Sequence, residues 1–200
     1  MKKVLLIICF ITVSNCDQKK KSIQGQTVWQ IEMNSNFKDA TKSPLKDKDR
    51  KYFDGLDFFD FDSSFVIKAH LKRTPDTEFF NMRTTTSRVS QERVFGVLSF
   101  EMNGRPFQLN LYQGKEAMET KGNEDYLFLP FLDNTNGDMT YGGGRYIDLR
   151  IPEGDTITID FNKAYNPLCA YNDKYSCPIV PRENYLDTEV KAGVKAFDKH

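Results

Sequence analysis

Hydrophobic positions change their spacing three times along the chain. Val4 to Val13 is one unbroken apolar run behind Lys2 and Lys3; it is too short to span a bilayer as a helix and has the length of a signal-peptide core. Trp29, Met33 and Phe37 then recur at i, i+4, i+8, which predicts an amphipathic helix over Thr27 to Ala40. Ser43-Pro44 offers an N-cap with proline at the first helical position, and predicts a second short helix over Leu45 to Tyr52. From Phe65 the period drops to two: Phe65, Ile67, Ala69 and Leu71 alternate with Lys68, His70 and Lys72, the pattern of a half-buried strand. Glu78 to Thr86 reads as its partner. Arg93 to Met102 and Phe107 to Tyr112 flank Asn103-Gly104, a hairpin signature. Further strands are expected over Tyr126 to Phe131, Arg145 to Ile151 and Thr156 to Phe161, the last two joined by the turn residues Pro152-Glu153-Gly154-Asp155. A final extended piece runs through Leu186 to Val194. Closely spaced strands with few helical stretches between them predict a mainly β fold. We expect a single antiparallel β-barrel or sandwich-like domain over residues 27–200, with one or two short N-terminal helices.

Before that domain, Val13-Ser14-Asn15-Cys16 resembles a bacterial lipobox, with Asn15 where Gly, Ala or Ser is usual. The expected organisation is a signal peptide over residues 1–15 and a polar tether over residues 16–26 carrying a diacylglyceryl group on Cys16. This places the protein in a bacterial cell envelope, lipid-anchored to a membrane and facing the periplasm or the cell surface.

Charge and cysteine usage narrow the function classes. Lys+Arg and Asp+Glu both number 28, and loss of Lys2 and Lys3 with the signal leaves a side-chain charge of about −2, so no nucleic-acid partner is implied. Mean hydropathy of −0.57 excludes a polytopic membrane protein, and the domain is expected to be monomeric. Of four cysteines, Cys9 departs with the signal and Cys16 becomes the anchor, leaving Cys169 and Cys177. In an oxidising compartment these predict a disulfide. Only His70 and His200 remain as histidine ligands or bases, so no metal, no cofactor and no cysteine-nucleophile chemistry is expected.

The unusual stretch is Phe131 to Ile151, a polar loop that enters a strand through Gly142, Gly143 and Gly144. Walker-type and dinucleotide readings fail, because the P-loop lysine is absent and a strand follows where a helix should. The loop is therefore either a tight barrel corner or a backbone cradle for a ligand. Asp133 to Asp138 has calcium-loop residues in the wrong register and reads as turn chemistry. Strand alternation puts Arg145 on the face of Ile147, Leu149 and Ile151, and Tyr146, Asp148 and Arg150 on the other. A core-facing arginine needs a partner: an internal ion pair with Asp133 or Asp138, or an anionic ligand at the barrel mouth.

Phe131-Leu132-Asp133-Asn134-Thr135, Thr140-Tyr141-Gly142-Gly143-Gly144-Arg145-Tyr146-Ile147-Asp148-Leu149, Asp160-Phe161-Asn162 through Ala164-Tyr165-Asn166-Pro167, and Cys169 with Cys177-Pro178 resemble the uncharacterised bacterial and archaeal family known as domain of unknown function 1684. The resemblance extends over about Phe37 to Phe197, in the short form found in envelope lipoproteins, with Leu168 where many members have a second proline. It implies motif positions at Asp133, Tyr141, Arg145, Tyr146, Asp148, Asn162, Tyr165, Asn166 and Cys169, and no particular activity.

Three function classes follow. The first is a lipid-anchored binding domain that holds a small anionic ligand through Arg145 and Gly142, Gly143 and Gly144, with Asp133, Asp148 and Asn166 nearby and Tyr141, Tyr146 and Tyr165 as walls. The second is a structural or partner-binding envelope protein without a ligand. The third is an envelope hydrolase with Asp133 or Asp148 as base beside Arg145.

Overall fold

The computed structural model describes residues 25–197. Helix α1 (Val28–Lys38) starts where the Thr27 hydroxyl accepts the Gln30 amide at 3.2 Å and the Gln30 side chain accepts the Thr27 amide at 3.2 Å, a reciprocal capping box. Its predicted face is the one it packs: Phe37 is buried and Trp29 and Met33 lean on the same cluster, with Leu56, Phe58 and Tyr171. The second helix is shorter than expected. α2 is the single turn Asp47–Arg50, because Ser43 Oγ accepts the Leu45 amide at 3.2 Å and Leu45 is drawn into the α1 cluster before any helix begins.

The strands are β1 (Val66–Arg73), β2 (Phe80–Arg83), β3 (Val89–Met102), β4 (Arg105–Gly114), β5 (Tyr126–Asp133), β6 (Arg145–Arg150), β7 (Thr156–Asp160) and β8 (Tyr185–Leu186), with a one-turn helix α3 (Lys115–Glu119) after β4 that no sequence pattern announced. They form an antiparallel, strongly curled half-barrel in the order β6-β5-β4-β3-β1-β7, and the mainly β expectation holds. β2 does not pair with β1. Both flanks of β1 are taken by β3 and β7, so β2 pairs with the first part of β3, Phe80 opposite Glu92.

The β3–β4 hairpin turns at Asn103 (φ 53) and Gly104 (φ 71), the left-handed pair that a two-residue turn matched to strand twist requires. β3 carries a bulge between Val94 and Gly96. There β1 lies so close that a Cβ on Gly96 would stand 2.6 Å from Leu71 Cδ1 and 2.7 Å from the Lys72 carbonyl. Pro152 to Asp155 joins β6 to β7 without making a hairpin, since these strands lie at opposite ends of the sheet. The linker is tied instead to β1: the Leu71 amide donates to the Asp155 carbonyl at 2.9 Å, and Arg73 donates to the carbonyls of Pro152 and Gly154 at 2.8 and 2.9 Å.

One face of the sheet is the main core, built by Leu71, Leu98, Leu111, Leu129, Ile147 and Ile159 among others. The C-terminal segment expected as a strand over Leu186 to Val194 crosses this core but pairs as a strand at Tyr185–Leu186, parallel to β5, and again through a single antiparallel bridge from Val194 to Phe58. The carbonyls of Val190 and Ala192 accept from the Arg145 guanidinium instead of from a neighbouring strand.

Candidate functional site

Arg145 opens β6 pointing into the main core, as alternation predicts, and its side chain and that of Asp133 are both 0% exposed. Nη2 lies 2.8 Å from Asp133 Oδ2 and 2.7 Å from the Val190 carbonyl, Nη1 donates to the Ala192 carbonyl, and the guanidinium stands 5.1 Å from the Phe131 ring centre. Asp133 Oδ1 accepts the Thr135 amide at 2.9 Å, the Thr135 hydroxyl at 2.6 Å and the Val190 amide at 3.2 Å. Burial presses the arginine toward deprotonation and Asp133 works against it. Of the two acidic partners expected, Asp133 makes the pair while Asp138 stays exposed.

The glycine run is a tight corner. Gly144 adopts φ +87, and a Cβ there would stand 2.6 Å from the Phe131 carbonyl oxygen. Gly142 meets nothing closer than 3.6 Å, and Gly143 is crowded only by the ring of Tyr141. Within the loop, the Thr135 and Thr140 hydroxyls are 2.8 Å apart and Asn136 Nδ2 donates to Thr140 Oγ1 at 2.9 Å, so its polar side chains satisfy one another.

The opposite face of the same strands carries an open cleft of about 1000 Å³. It divides the candidate residues: Tyr146, Asp148, Tyr165 and Asn166 line it, whereas Arg145, Asp133, Tyr141 and the three glycines do not. The Asp133 or Asp148 base is therefore not brought together with Arg145: Asp133 is saturated inside the core and Asp148 projects from the other side of β6.

Asp148 is the polar centre of the cleft. Tyr126 and Tyr165 both donate to its Oδ1, at 2.7 and 2.6 Å. Tyr126 stands one pleat from Phe128, which pairs with Asp148 across the β5–β6 ladder. Tyr165 is held by reciprocal backbone bonds with Tyr146, at 2.9 and 3.0 Å. Burial first, and the Asp148 charge with it, pushes both phenols well above the ordinary tyrosine range, so they remain donors at any physiological pH. Among the described residues no lysine or arginine pairs with Asp148, and the neighbouring Arg150 pairs with Asp125 at 2.7 Å.

A second carboxylate lies on the same face. Glu92 is 6% exposed, its Oε1 accepts the Ser90 hydroxyl at 2.7 Å, and its Oε2 has no partner. Burial raises its carboxyl above the usual range. Gly114, opposite it on β4, makes room: a Cβ there would stand 3.1 Å from both carboxylate oxygens. Three strand spacings, roughly 14 Å along the sheet, separate the strand of Glu92 from that of Asp148. Trp29 and Met33 of α1, with Phe128 and Leu168, supply apolar wall, and Asn166 adds a buried Oδ1 without a partner. Glu92 and Tyr126 escaped the sequence reading. The only trace of Glu92 there is a charged residue in a stretch, Val89 to Arg93, that lacks alternation, and Tyr126 carried only a strand signal.

The disulfide expected between Cys169 and Cys177 is corrected: both are free thiols. The Cys169 amide donates to Cys177 Sγ at 3.1 Å, and the nearness of the Cys177 thiol favours the Cys169 thiolate. Cys177 is fixed to the end of β2 through Thr85, whose hydroxyl accepts the Cys177 amide at 3.1 Å. This contact with Cys177, aided by the Tyr141 hydroxyl 4.0 Å away, brings the Cys169 thiol down to about 6, while Cys177 is pushed up. The expected signal peptide and Cys16 lie outside the described residues.

Residues 51–195 match the family described as "Protein of unknown function (DUF1684)". Among solved structures, the chain is similar to the solution NMR structure of an uncharacterized protein from Haloarcula marismortui, at 34% identity over 83% of this chain and 89% of that chain, with a TM-score of 0.66. No curated protein matches.

Proposed function

From the premise that the chain belongs to the DUF1684 family, we propose that it is a lipid-anchored envelope protein whose cleft holds a small organic molecule by a hydrogen-bond-donating group on Asp148. The observation that carries this reading is the Asp148 carboxylate itself: two phenols orient it through one oxygen, no cation of the described residues neutralises it, and it faces an open cavity of about 1000 Å³. Such an acceptor suits a hydroxyl or amine donor, and the aromatic and aliphatic walls suit an apolar face on the same molecule. An anionic ligand on Arg145, the class expected from the glycine-rich loop, has no support here, because that guanidinium is sealed in the core, does not reach the cleft and gives both its terminal nitrogens to Asp133, Val190 and Ala192. The N-terminal pattern ending at Cys16 supports the anchor, which would hold the cleft close to a membrane surface.

Native mass spectrometry of the wild type and of Asp148→Asn, both purified without denaturation from the membrane fraction, tests the assignment. The wild type is expected to carry a bound small molecule that the variant has lost while remaining folded. Bare spectra from both would overturn it in favour of a partner-binding surface.

A further inference from the structure

We infer that Cys169 and Cys177 form a thiol–disulfide exchange site beside the cleft, which Cys177 lines, with half-buried Cys169 as the attacking nucleophile and buried Cys177 as the resolving thiol. The assignment of roles follows from geometry. Cys169 sits in the short turn Leu168–Ala170, partly open to solvent, with the Tyr141 hydroxyl 4.0 Å from its sulfur. Cys177 is held on both sides, its amide on Thr85 Oγ1 at 3.1 Å and its carbonyl accepting the Thr85 amide at 2.9 Å. Its sulfur is thereby kept against Cys169, accepting that residue's amide at 3.1 Å. A thiol surrounded by donors and lowered to about 6 is largely thiolate at neutral pH, the reactive form.

The exchange needs only a small disulfide as oxidant. The Cys169 thiolate attacks one of its sulfurs, the external S–S bond breaks, and the departing thiolate takes a proton from solvent. Cys177 then loses its proton and attacks Cys169 Sγ of the mixed disulfide, expelling the second thiolate. Two protein thiols are oxidised by two electrons and one external disulfide is reduced to two thiols. The free dithiol is thus the working form, and the cross-link is its product.

The full chain, reduced and then exposed to oxidised glutathione at neutral pH, is quenched by alkylation and mapped by peptide mass, which reads Cys169 and Cys177 apart from Cys9 and Cys16. Wild type is expected to end two hydrogens lighter at this pair and free of glutathione. Cys177→Ser should accumulate one glutathione on Cys169, Cys169→Ser should leave Cys177 unmodified, and Tyr141→Phe should slow the first step a few-fold with the same product. Persistent glutathione on wild-type Cys169, or modification of Cys177 in Cys169→Ser as fast as of Cys169 in Cys177→Ser, would overturn the inference. The wild-type product decides it even where a cysteine variant does not fold.

Discussion

Arg145 and Asp133 are a buried pair whose value to the fold depends on both being present. Removing the guanidinium in Arg145→Met leaves the Asp133 carboxylate uncompensated at 0% side-chain exposure and strips the Val190 and Ala192 carbonyls of their donor. The expected loss is about 3–5 kcal/mol in urea unfolding. Glu92 behaves in the opposite sense. Its carboxyl is raised in the folded state by burial, so its contribution to stability is complete below the unfolded carboxyl value of about 4.3 and is lost as pH climbs through the raised folded value. Glu92→Gln removes that loss: thermal unfolding should show the variant close to wild type near pH 4 and more stable than wild type at about pH 8. A variant less stable at the higher pH would mean that the ionised carboxylate is compensated after all. The sequence made Arg145 conspicuous as a charge in an apolar row and named Asp133 as one of two partners. Glu92 was silent, because its burial depends on the pairing that sets it against Gly114 of β4, a contact that no local pattern encodes.

Elements were legible wherever local chemistry alone specifies them. The Trp29, Met33 and Phe37 face of α1, the Asn103-Gly104 turn and the period-two row of β1 all appear where their residues put them. Pairing was not legible. β2 goes to β3 rather than β1, and β6 and β7 part company although only a turn separates them, since ladder partners are chosen by the curl of the whole sheet. The glycine corner shows how finely the two kinds of information mix. Gly144 is required by its positive φ and by the Phe131 carbonyl, whereas a Cβ on Gly142 would make only ordinary contact, 3.6 Å from Gly137. Gly144→Ala is therefore expected to destabilise by about 1–3 kcal/mol, and Gly142→Ala to stay within about 0.5 kcal/mol of wild type, in paired chemical unfolding. Equal effects would remove the corner as the reason for the run.

For the whole molecule, the half-barrel separates two chemistries that the sequence interleaves on one strand. Arg145 and Ile147 face the sealed core, and Tyr146 and Asp148 face the cleft. The anchor we propose at Cys16, outside the described residues, makes one prediction: Cys16→Ala should move the protein from the membrane fraction to the soluble fraction on cell lysis, with the domain still folded. Recovery of that variant in membranes washed with high salt would exclude a lipid at Cys16 as the attachment. What the sequence determined by itself was the fold class, the faces of individual strands, the hairpin and a short list of side chains that needed partners, because periodicity and turn chemistry act over a few residues. Tertiary structure alone decided which partner each found. It closed Arg145 on Asp133 and the C-terminal carbonyls, brought Tyr126 and Tyr165 onto one oxygen of Asp148 from segments 39 residues apart, and left Cys169 and Cys177 as neighbouring free thiols. Those meetings depend on the curl of a sheet, a long-range property that no window of sequence contains.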